Sequence, residues 1–215
     1  MADIYKTMHA RLPDSLRLRW VDMGTYWAPA YYIVGASGNV LGAVSLLAGE
    51  AHVGEIGGYG NVVTATVIRP ADTTAYVVDD VLSDNTVAPT LLTFSDVARV
   101  NGESGWVISA VMVTDRAEEI RPQVRLMLFD TAPAAQNDNA QFAPTDADAL
   151  RVVGWIDFNA YQDGAVNTIY FVNNLDVGFR CATGSRSMYG IPVMKNAYVP
   201  VANEKFDFRI EVTLD

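Results

Sequence analysis

At 215 residues, half of them hydrophobic, the chain is long enough to bury one substantial core, and a mean hydropathy of +0.13 reads as a globular protein. Fifteen Lys and Arg against 25 Asp and Glu leave a net charge of −10, a surface that repels phosphate backbones and argues against direct nucleic-acid binding. The single cysteine, Cys181, excludes an intrachain disulfide framework.

The first residues include Asp3 and lack the basic-then-apolar layout of a signal peptide, so the expectation is a protein folded in the cytoplasm of the producing cell. From Met23 to Gly49 there is no charged residue, a run long enough to cross a bilayer. Pro29 and glycines 24, 35, 38 and 42 break helix continuity there, which argues against a membrane span. Residues 1 to 53 show no sustained helical or strand period, as expected of an arm that orders against a partner. Within them Arg11, Arg17, Arg19, Trp20, Tyr26 and Trp27 have the residue types of interface anchors and are the candidate partner contacts. The alternative is that these aromatics fold back and serve the core. Gly54, Gly57, Gly58 and Gly60 then mark a hinge, which divides the chain into an arm and linker (1 to 59) and a main domain (60 to 215).

Beyond the hinge the apolar period becomes two. VVTATVIR (62 to 69) alternates and stops at Pro70 and Asp72, predicting a first strand. Further strands are predicted at 75 to 82, 90 to 94, 105 to 113, 123 to 130, 150 to 158, 167 to 172, 177 to 180, 189 to 194 and 206 to 214. The last is the best patterned: Phe206, Phe208, Ile210, Val212 and Leu214 share one face, and Lys205, Asp207, Arg209, Glu211 and Thr213 the other. About ten strands and no long helix predict an all-β fold, an antiparallel sandwich of jelly-roll type with an extended N-terminal arm.

Chemistry finds little support. The two histidines, His9 and His52, both lie in the irregular N-terminal segment, so a Ser-His-Asp or Cys-His site has no base in the main domain. One cysteine and two distant histidines give no zinc spacing, and Cys181 reads as a small structural side chain. Asp130, Asn137, Asp138, Asn139, Asp146 and Asp148 make an oxygen-rich stretch of the kind that can hold calcium, but the spacing is no EF-hand and the same residues are ordinary turn formers. The expectation is therefore no catalytic residue, no metal and no cofactor.

Five pieces, in this order, carry a resemblance: VIRPADTTAYVVDDVL (67 to 82), the F-x-x-x-A-R-x-x-G-x-S-G turn and the strand ending in Thr-Asp within LTFSDVARVNGESGWVISAVMVTD (92 to 115), VRLMLFDTAP (124 to 133), and DNAQFAPTDADALRVVGWIDF (138 to 158). From residue 60 to about 160 the chain resembles a family of tailed-phage and prophage virion structural proteins. The resemblance implies a particle component, a decoration or cement subunit that sits on the capsid exterior, binds the major capsid protein and often forms homotrimers. It supplies no catalytic residues. The competing expectation is a receptor- or carbohydrate-binding sandwich of a head or tail fibre, for which Trp106, Trp155, Tyr161 and Tyr189 are candidates by type. Trp106 and Trp155 sit inside strand patterns, so core packing is expected of both.

Overall fold

The computed structural model describes residues 16–22, 27–34, 40–43, 60–116 and 121–214, and the chain divides into two compact units, residues 1–55 and 56–215. In the first unit β1 (Leu16–Asp22), β2 (Trp27–Val34) and β3 (Val40–Ala43) form an antiparallel sheet in that order. Strands thus occupy a stretch whose sequence shows no strand period. Two of them fall inside the uncharged run 23 to 49, and among the described residues no helix is long and apolar enough to cross a membrane.

The second unit is an antiparallel sandwich. One sheet has the order β4 (Gly60–Ile68), β12 (Lys205–Leu214), β6 (Ser104–Thr114), β10 (Thr168–Arg180), β9 (Tyr161–Asp163). The other runs β5 (Leu92–Phe94), β11 (Met188–Met194), β7 (Val124–Phe129), β8 (Val152–Phe158). The pairings nest about the β7–β8 hairpin: β6 with β10, β5 with β11, and β4 with β12. Except for the β7–β8 hairpin and the short β9, each connection passes from one sheet to the other, which is jelly-roll topology. The one helix among the described residues, α1 (Asp146–Ala149), is a single turn whose Thr145 hydroxyl accepts from the Asp148 N–H.

Alternation builds the core. The inward residues of β12, from Phe206 to Leu214, meet Val63, Ala65 and Val67 of β4, Met112 of β6, Tyr170 of β10 and Leu126 and Leu128 of β7 in one buried cluster. Phe158 and Phe208 close the gap between the layers with ring centroids 5.9 Å apart. Pro192 sits inside β11, a position proline normally avoids. Its carbonyl accepts from Leu82 N–H at 3.0 Å, so the donor it lacks would face residues 79–82, where pairing is only an isolated bridge.

Two predicted segments fold differently. Residues 75 to 82 form turns and isolated bridges, Tyr76 with Tyr198, Asp80 with Gln141 and Val81 with Val193. The Asp80 carboxylate accepts from Val77 N–H at 2.7 Å and Asp79 adopts φ 72°, so the stretch turns, leaving Val77 and Val78 exposed. The predicted strands at 167 to 172 and 177 to 180 are instead one, β10, carried across a bulge between Asn173 and Val177 with Asn174 at φ 56°.

Candidate functional site

Of the candidate contacts, Arg17, Arg19 and Trp20 lie on β1, paired with Tyr32, Ala30 and Pro29, and Trp27 opens β2 opposite Asp22. Arg11 and Tyr26 lie outside the described residues.

In the sandwich, Asp138 of the acidic stretch 130 to 148 turns inward, while Asn137 and Asp146 stay exposed. Asp138 is fully buried: Arg69 Nη2 donates to one oxygen at 2.9 Å, while Tyr76 Oη at 2.6 Å and Ser83 N–H at 2.8 Å donate to the other. Arg69 Nε donates to Tyr76 Oη as well. Burial, reinforced by the Asp138 charge, pushes the Tyr76 phenol far above its ordinary range, so it stays a donor. Among the described residues no three His, Cys, Asp or Glu side chains gather as metal ligands. Burial, with Glu103 and Asp130 adding, pushes the Cys181 thiol up to about 11, the state of an unreactive structural cysteine. A small cavity of about 20 Å³ between Val67, Leu82, Leu92 and Pro192 holds one water at most.

The outer faces of the two sheets differ. On the four-stranded sheet, Val81 packs over Phe129, Ile191 and Val193, with Leu91 and Phe142 against them, so much of that face is covered by loops. What remains open is one patch, where Trp155 is 53% exposed and Arg125 holds Asp157 through two hydrogen bonds, 2.6 and 2.8 Å, with its guanidinium 5.2 Å from the Trp155 ring centre.

The five-stranded sheet leaves its outer face open. Cross-strand rows place Val62 and Glu211 beside Ser109 and Asn173, and Thr64 and Arg209 beside Val111 and Phe171. They also place Asp207 beside Val113 and Ile169, and Thr213 beside Trp106 and Gly178. Val62, Ile68, Trp106 and Phe171 are each between 44% and 52% exposed. Trp106 covers Gly178: a Cβ there would stand 3.1, 3.3 and 3.4 Å from three carbons of its six-membered ring. Trp106 and Trp155 are therefore not core residues. Each falls on the outward register of its strand, and sequence alternation alone does not reveal which face is inward when both carry large apolar groups.

At the β9 end, Arg121 clasps Asp163 with Nε and Nη2 at 2.9 and 2.8 Å and lies 5.7 Å from the centre of the exposed Tyr161 ring. Those hydrogen bonds hold the Asp163 carboxyl below the usual carboxylate range. No model of a protein family matches this chain, and no curated protein matches it either.

Proposed function

We propose that this protein is a non-enzymatic binding subunit of a tailed-phage particle, a capsid decoration or cement protein that attaches to the major capsid protein on the outside of the shell and stabilises it. The observation that carries the reading is the open outer face of the five-stranded sheet, where Trp106, Phe171, Val62 and Ile68 stay exposed among half-buried Val111, Val113 and Ile169. Apolar groups left exposed on both sides of the charged column Asp207, Arg209 and Glu211 of β12 offer a protein partner anchors beside polar contacts. The resemblance of residues 60 to 160 to virion structural proteins points the same way. The jelly roll recurs in capsid and lectin domains, although a fold alone names no function. Assembly as a homotrimer once seated on the shell, residence on the capsid exterior and production in the host cytoplasm belong to the same proposal.

The test is attachment. Purified particles are probed by mass spectrometry and cryo-electron microscopy, and the free protein is titrated onto shells that lack it. Trp106→Ala with Phe171→Ala is expected to weaken attachment at least about tenfold, the effect of losing central aromatic anchors, with little loss of folding stability. Ordered occupancy absent from particles, together with no binding to bare shells, overturns the reading.

One observation favours a second reading. The Trp106 ring rests on Gly178, with side chains of the β10 bulge close by in sequence, an arrangement suited to stacking a sugar ring in a receptor- or carbohydrate-binding role. A glycan array separates the two.

A further inference from the structure

We propose that the free edge of β4 pairs, antiparallel and about a two-fold axis, with the same edge of a second copy of this chain. β4 is the outermost strand of its sheet, and among the described residues it bonds only β12. The hydrogen bond from Arg69 N–H to the Glu204 carbonyl, 2.9 Å, sets the phase of this ladder. Because bonding alternates along an antiparallel pair, Val67, Ala65 and Val63 turn their main-chain groups toward β12, and Ile68, Thr66, Thr64 and Val62 turn theirs outward. The side chain of Asn61 supports this phase: its carbonyl oxygen accepts from the Val62 N–H at 2.8 Å, capping a donor that β12 does not reach. The N–H groups of Thr64, Thr66 and Ile68 have no such cap, and among the described residues none has a partner.

An exposed edge of this kind is a template for another strand unless it is blunted by charge, proline, a bulge or brevity. The remaining edges of the sandwich are blunted. β9 and β5 are three residues long, β8 carries Asp157 and a register shift opposite Leu128 and Phe129, and β10, uncovered by β9 beyond Tyr170, is bulged between Asn173 and Val177 and carries Asp176 and Arg180. β4 has nine residues, GNVVTATVI, with no ionisable side chain, no proline and no register shift against β12.

The occupant is a second copy because of charge and register together. Each chain carries a net charge of −10, so two copies approach most easily along a strand with no charge on it. A two-fold centred on Thr64 sets Thr64 opposite itself, Val62 opposite Thr66, and Val63 opposite Ala65 of the second copy. Threonines then meet on the outer face, a favourable cross-strand pair, and the apolar inward residues of both copies become continuous. Each Thr64 N–H reaches the opposite Thr64 carbonyl, and each Thr66 N–H the opposite Val62 carbonyl. The inference rests on the fold alone, whether or not the protein rides on a particle.

The test uses the full chain without shells, by sedimentation or light scattering over a dilution series. Wild type is expected at twice the chain mass. Thr64→Lys and Thr64→Glu each place like charges face to face and are expected to weaken self-association at least about tenfold, giving monomers. An equimolar mixture of the two variants is expected to return to the wild-type mass, which also shows that both are folded. A wild-type monomer at every concentration, a Thr64→Lys variant of unchanged mass, or a mixture that stays monomeric overturns the proposal. Failure to bind shells bears on the decoration role and leaves this result untouched.

Discussion

At the scale of single residues, the main tension in the molecule is the buried charge of Asp138. Its two oxygens are engaged by Arg69, Tyr76 and a main-chain donor, and all of them are shut away from water. Removing one member of such a set strands the others. Asp138→Ala is expected to cost about 3–5 kcal/mol, because the buried Arg69 guanidinium loses its closest counter-charge and keeps only the half-exposed Asp72 at 3.5 Å. Replacing the whole set with Arg69→Met, Tyr76→Phe and Asp138→Leu together is expected to cost less than the single change, since no stranded charge is left. Urea unfolding midpoints decide between them, and a triple variant less stable than Asp138→Ala contradicts the account. None of this was legible in the sequence: Asp138 reads as a turn former among others, and its partner Arg69 lies 69 positions away. The outward placement of Trp106 was hidden for a related reason, since a half-apolar strand has two plausible inward faces until its neighbours are known.

At the scale of elements, alternation located most strands to within a residue or two. β12 shows why: its sides differ so sharply in polarity that only one register buries it, and it lies inside its sheet between β4 and β6. Misreadings arose where turn formers lie within strand-like sequence. Asp79 and Asp80 bend what looked straight, whereas Asn173 and Asn174 bulge a strand that looked interrupted. The packing of these elements makes a graded prediction about glycine. At Gly105 a Cβ would lie 2.4 Å from the Thr213 carbonyl oxygen, a main-chain atom held in the ladder. At Gly190 the tightest contact, 2.8 Å, is with the end of the Leu126 side chain, which can turn aside. Gly105→Ala is expected to lower the thermal midpoint clearly more than Gly190→Ala, and equal losses would show that the β6–β12 backbones separate easily.

At the scale of the whole molecule, the nested pairings put the burden of folding on contacts distant in sequence. Thr66 and Asp207, joined at 2.6 Å, are 141 positions apart. Such a topology folds slowly, because the chain must close its largest loop before β4 gains a neighbour. The division between residues 1–55 and 56–215 gives a further test. A chain of residues 56 to 215 is expected to keep a cooperative transition in circular dichroism. One ending at residue 203 is expected to lose it, since β12 is then missing from between β4 and β6. A folded product of the second truncation would refute the central place given to β12.

Because Gly60 and Thr213 face each other across a single pair of strands, the two extremities of the sandwich share one corner. A few residues of linker would join them into a ring, and reopening that ring at the turn between β9 and β10 would reorder the chain without disturbing a layer. Segments grafted directly at Gly60 and at Thr213 would therefore leave from the same side of the sandwich, as two cords tied to one post.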